Sequence, residues 1–76
     1  FNALDGYMVE ETKALLGLRG FLYQLRIERA STPLALKALI EPIAMGIEKK
    51  HSSDMARRFR LESERLAVAA IAERDL

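Results

Sequence analysis

The sequence predicts an all-α protein, a three-helix array in one domain over residues 1–76. Three observations lead there. Apolar residues recur at gaps of three and four along most of the chain, which lines them up on one side of a helix. Two short polar stretches, Ala30-Ser31-Thr32-Pro33 and His51-Ser52-Ser53-Asp54, divide the periodic segments. No segment alternates apolar and polar residues at the period of a strand, and no internal repeat is present.

The first helix is expected over about residues 7–29, with residues 1–6 as a lead-in and Asp5 as its N-cap. Glu10 and Glu11 follow near the positive end of the helix dipole, and Arg26 and Arg29 sit at the negative end. Leu15, Leu18, Leu22 and Leu25 form its main stripe, widened by Ala14 and Phe21 and extended by Met8. Nearly opposite lie Val9, Leu16, Gly20, Tyr23 and Ile27. A helix with two apolar faces does not bury both against one neighbour. The leucine stripe is therefore assigned to the core, and the second face to self-association. Arg19, Arg26 and Arg29 lie close to the leucine stripe and are expected at the rim of a helical interface. Gly17 and Gly20 each cost about 1 kcal/mol relative to Ala inside a helix. Gly20 is read as a point where another backbone comes close.

The second helix is expected over residues 33–50. Ser31 or Thr32 caps it, and Pro33 suits its first position, where no N–H bond is lost. Its stripe is Leu36, Leu39, Ile40, Ile43 and Ile47. Pro42 falls inside this stripe and predicts a kink near residues 38–41. The third helix, over about residues 54–74, takes Ser52 or Ser53 as its cap. Met55, Phe59, Leu66, Ala69 and Ala70 are its apolar face, flanked by Ala56 and Ala67 and interrupted by Glu62 and Ser63. Arg58 with Glu62 and Arg60 with Glu64 have the spacing of surface ion pairs. Its end is rich in alanine, which favours helix and lets a neighbour approach. Both linkers are short, so successive helices should run antiparallel.

A chain of 76 residues buries a modest fraction of its surface when alone. With no Cys and a single His, disulfides, thiolate metal sites and a structural metal are not its supplement. Oligomerisation is what remains, and a homodimer through the first helix is the expectation. Half the residues are hydrophobic and 30% are charged, a globular balance. The net charge of +1 gives no overall pull towards nucleic acid or anionic lipid. No apolar run approaches the ~20 residues of a membrane span, and a cytoplasmic location is expected. The chain opens on Phe1 rather than Met, which leads us to expect part of a longer protein.

Catalytic chemistry finds little purchase. His51 beside Ser52 and Ser53 is read as a solvated loop histidine, because nucleophilic catalysis needs a base that faces its nucleophile and is itself oriented. The carboxylate pairs Glu10 with Glu11 and Glu62 with Glu64 do not sit on an apolar face that would raise their pKa values. There is no phosphate loop, and nothing calls for a cofactor or metal. Arg57, Arg58 and Arg60 are the densest basic cluster and mark a candidate contact patch for DNA. They spread around the helix and are surrounded by Asp54, Glu62 and Glu64, which lowers that reading. The leading expectation is a non-catalytic regulator or adaptor that acts by protein–protein contact as a homo-oligomer. A DNA-binding regulator using Arg57–Arg60 comes second, and a small helical enzyme with an interfacial site third.

Overall fold

The computed structural model describes the backbone of residues 2–75 and the side chains of residues 3–73. Among the described residues the chain is helical apart from two short connections, with no strand. It comprises α1 (Asn2–Leu16), a 3₁₀ turn (Gly17–Gly20), α2 (Phe21–Arg29), α3 (Pro33–Lys50) and α4 (Ser53–Asp75). The body measures 38 × 23 × 16 Å. α3 and α4 form the most extensive pairing, α1 lies across both, and α2 packs on α1 and α3.

The largest departure from the sequence reading is in the first helix. It begins at Asn2, so Asp5 stands within the first turn and not before it. It also does not run on to residue 29. Gly17 adopts φ +57°, a left-handed backbone that L side chains rarely take, and α1 stops there. Glycine at this position is a helix stop, not a tolerated defect. The 3₁₀ turn then redirects the chain into α2. The last carbonyls of α1 find partners from the far end of α3. Lys50 Nζ donates to the Leu16 carbonyl oxygen at 3.2 Å, and the His51 ring donates from Nε2 to the Leu15 carbonyl oxygen. Orphan carbonyls at a helix end need such donors. His51, exposed in the loop as expected from sequence, also caps α1 from 36 residues away in the same chain.

α3 has the predicted bounds. Thr32 accepts from the Ala35 N–H at 3.1 Å, and Pro33 opens the helix. The helix continues through Pro42 as one element. Leu36, Ile40, Ile43 and Ile47 are fully buried, joined by Ala44, and Leu39 is half-buried. In α4, Ser52 accepts from the Met55 N–H at 3.2 Å and caps the start. Its inward face is Ala56, Phe59, Ser63, Ala67 and Ala70, at gaps of three and four. Ala69 is exposed, and Ser63, read from sequence as an interruption, is fully buried. The small residues on this face let α3 lie close, which explains how extensive that contact is.

Leu4 and Met8 of α1 complete the core, and the Tyr7 ring stacks on Phe59 with centroids 6.0 Å apart. Each large side chain removed from water here contributes about 1.5–3 kcal/mol. Ion pairs stitch α3 to α4 at the surface. Arg60 bonds Glu41 through Nε (3.0 Å) and Nη2 (2.8 Å) and reaches Glu48 at 3.7 Å, while Lys37 meets Glu64 at 3.8 Å.

Candidate protein-binding surfaces

Beyond Gly17 the two apolar faces of the first helical stretch depart from the sequence reading, while Met8 and Leu15 ahead of it keep the core role assigned to their stripe. Leu16, Gly20 and Ile27, assigned there to self-association, are buried within this chain's own core, with Val9 and Tyr23 half-buried beside them. Of the leucine stripe, assigned to the core, Leu18, Phe21 and Leu22 are on the outside, with Leu25 half-buried. Leu18 is 96% exposed, Leu22 67% and Phe21 55%. The physical reason is the break at Gly17. Once α2 leaves the axis of α1, the helical phase that joined Leu15 to Leu18 and Leu22 no longer holds, and Gly20 turns its bare backbone onto α1.

Gly20 fits that contact closely. A Cβ built on it would stand 2.8 Å from the Leu16 Cβ, 2.8 Å from the Thr12 methyl and 3.1 Å from the Thr12 carbonyl oxygen. The close approach expected at Gly20 is therefore with α1 of the same chain.

Around α2, at 100° per residue, Phe21, Leu25, Leu22 and then Arg26 follow one another, with Tyr23 turned towards α3. The Arg26 guanidinium carbon lies 5.8 Å from the centroid of the Tyr23 ring. Between α2 and α3 is a cleft of about 570 Å³ lined by Leu16, Arg19, Tyr23, Gly46, Lys49 and Lys50. A smaller one of about 290 Å³ continues it along α3 to Met45 and Pro42, sharing Tyr23, Gly46 and Lys49. Sequence reasoning did not find this groove, because its walls come from segments twenty and more residues apart. The signal that bears on it is Gly46, which interrupts the stripe side of α3 with no turn to explain it.

The basic patch is differently wired than its spacing suggests. Arg57 pairs with Asp54 at 3.4 Å, and Arg60 is held by Glu41 and Glu48 of α3. Glu62 bonds Arg65 at 2.6 Å rather than Arg58, and Glu64 turns to Lys37 rather than Arg60. Arg58 is exposed and makes no ion pair among the described residues. Two of the three arginines thus already face carboxylates. Hydrogen bonding to Arg60 holds the Glu41 carboxyl below its ordinary range, and Arg65 does the same to Glu62. Burial raises the Tyr7 phenol above its ordinary value, with smaller contributions from Glu11 and Glu62.

Among the described residues, no group of three or more acidic or histidine side chains is placed to hold a metal, and no helix is long and apolar enough to cross a membrane. No family model, no curated protein and no solved structure matches the chain.

Proposed function

We propose that this chain is a small non-catalytic interaction protein, of the regulator or adaptor kind, that works as a homodimer. Its seam is the outer face of the 3₁₀ turn and α2. The observation that carries this reading is the exposure of Leu18, Phe21 and Leu22, which follow closely along the 3₁₀ turn and the start of α2. Chains rarely leave a contiguous cluster of large apolar side chains to water unless something covers it. Covering each would contribute roughly 1.5–3 kcal/mol. The rim carries both signs of charge, with Glu28 next to Phe21 and Arg26 and Arg29 next to Leu22, so a second copy does not bring like charges alone.

Light scattering across a dilution series tests it. The expected mass at high concentration is twice the 8.6 kDa of one chain. The pair Leu18→Ser with Leu22→Ser should return it to a single chain with an unchanged helical circular-dichroism signal. A wild-type chain that stays at 8.6 kDa up to about millimolar concentration, weaker than any useful dimer, overturns the homodimer.

A further inference from the structure

We propose that the groove between α2 and α3 binds an acidic amphipathic helix of another protein. This site borders the outer face of α2 and shares Arg26 with its rim, but its argument does not rest on the dimer. Along α3 the two joined clefts extend from Pro42 to Lys50, about 12 Å or two helical turns at 1.5 Å per residue. That length matches a short helix laid in a groove, which anchors apolar side chains one turn apart.

The floor is apolar, made by Leu16, Met45 and the Tyr23 ring, and Gly46 keeps it open. A Cβ at Gly46 would touch both Leu16 methyls at 3.5 Å, so any longer side chain there would occupy the groove itself. The rim is basic. Arg19, Lys49 and Lys50 line it, and Arg26 lies over Tyr23. Lys50 is engaged by the Leu16 carbonyl, but Arg19, Arg26 and Lys49 make no ion pair among the described residues. No carboxylate lines either cleft, and the nearest acids on α3, Glu41 and Glu48, are bonded to Arg60. A cluster of cations left unpaired around an apolar slot complements a ligand that is apolar on one side and acidic at its edges.

Two other occupants fit less well. An anionic bilayer is flat on this scale and does not enter a slot walled by two helices. A second copy of this chain pairs Glu41, Glu48, Asp54, Glu62 and Glu64 within itself, and its α1, which carries Asp5, Glu10 and Glu11, already buries its apolar Leu4 and Met8 in its own core.

The test uses the isotope-labelled full chain and amide chemical shifts. The probe is a synthetic amphipathic peptide of about four helical turns, built from Leu, Phe and Glu, with a twin in which every Glu is Lys. The acidic peptide should shift the amides of Arg19, Tyr23, Gly46 and Lys49, and the twin should not. Lys49→Gln, at an exposed site, should raise the dissociation constant about fivefold or more with an unchanged melting curve. Salt should weaken binding, since these charges are solvent-facing. Equal binding of the basic twin, shifts located elsewhere, or binding to phosphatidylglycerol vesicles in place of the peptide would each overturn the proposal.

Discussion

Thr12 and Gly20 are eight residues apart, yet a Cβ built on Gly20 would stand 2.8 Å from the Thr12 methyl. In one straight helix the same pair would be separated by about 12 Å along the axis. The contact exists because Gly17 turns left-handed and folds α2 back onto α1. Three glycines therefore predict three outcomes. Gly20→Ala should destabilise by about 1–3 kcal/mol, because the atoms it meets include backbone that does not yield. Gly17→Ala should cost about 1–2 kcal/mol through its positive φ. Gly6→Ala should stabilise by roughly 0.5–1 kcal/mol, since it lies inside α1 with nothing within 4 Å of the added carbon. Thermal unfolding of the three variants checks the order. A Gly20→Ala midpoint at or above wild type would remove close packing as the reason for glycine there.

Thr12 and Ser63 are fully buried, and neither hydroxyl has a hydrogen-bond partner among the described residues. A buried hydroxyl without a partner costs about 1–3 kcal/mol relative to the same group in water. Ser63→Ala removes the polar atom at little loss of volume, on a face already lined by Ala56 and Ala67. We expect a gain of about 1 kcal/mol, or 4–8 °C in the midpoint for a domain of roughly this size. Thr12→Val should behave alike, because it keeps the branched shape against Gly20. A fall in the midpoint for both would mean that these hydroxyls are satisfied in solution.

Much of this architecture was legible in the residues. The bounds of α3, the caps at Thr32 and Ser52 and the stripe from Leu36 to Ile47 follow from local chemistry, and the structure has them. What was not legible is non-local. The stop at Gly17 depends on a backbone angle that a periodic apolar pattern overrides when read alone. The outward turn of Leu18, Phe21 and Leu22, beyond that single break, follows from it. His51 is exposed as read, but its bond to the Leu15 carbonyl, 36 residues away, was out of reach of local pattern. The ion pairs of α4 followed suit: Arg60 prefers a two-pronged contact with Glu41 on α3 to a neighbour on its own helix. The groove was hidden for the same reason, since α2 and α3 make it only together.

Tyr7 predicts a pH effect at the alkaline end. Its phenol titrates above the ordinary value, first from burial against Phe59 and then from Glu11 and Glu62. A group whose pKa is raised on folding stabilises the native state fully below its unfolded pKa, and that contribution is lost as pH rises through the folded value. The window therefore opens near pH 10 and extends above it. Tyr7→Phe keeps the ring stack and has no proton to lose. The midpoint difference, wild type minus Tyr7→Phe, should fall as pH rises from about 8 to 11. A difference that stays constant over that range would mean that the phenol is as well solvated in the folded chain as in the unfolded one.

Leu22 and Ile27 are five residues apart on α2 and should respond oppositely to truncation. From sequence, Leu22 belongs to the core stripe, and its loss would cost about 2–5 kcal/mol. In the folded chain Leu22 is 67% exposed and Ile27 only 1%. Ile27→Ala should then carry the cost of about 2–5 kcal/mol, set by the cavity it leaves against α1 and α3. Leu22→Ala should stay within about 0.5 kcal/mol in a dilute sample, where the outer face meets water. The two variants also separate folding from assembly. Leu22→Ala should lower the scattering mass at high concentration while the dilute melting curve is unchanged. Tyr23→Ala, on the inward side of α2, should lower the melting curve first. Denaturant titration at two protein concentrations reads both quantities. If Leu22→Ala proves as costly as Ile27→Ala in dilute solution, then α1 and α2 share one face after all, and the outward assignment of the leucine stripe falls with it.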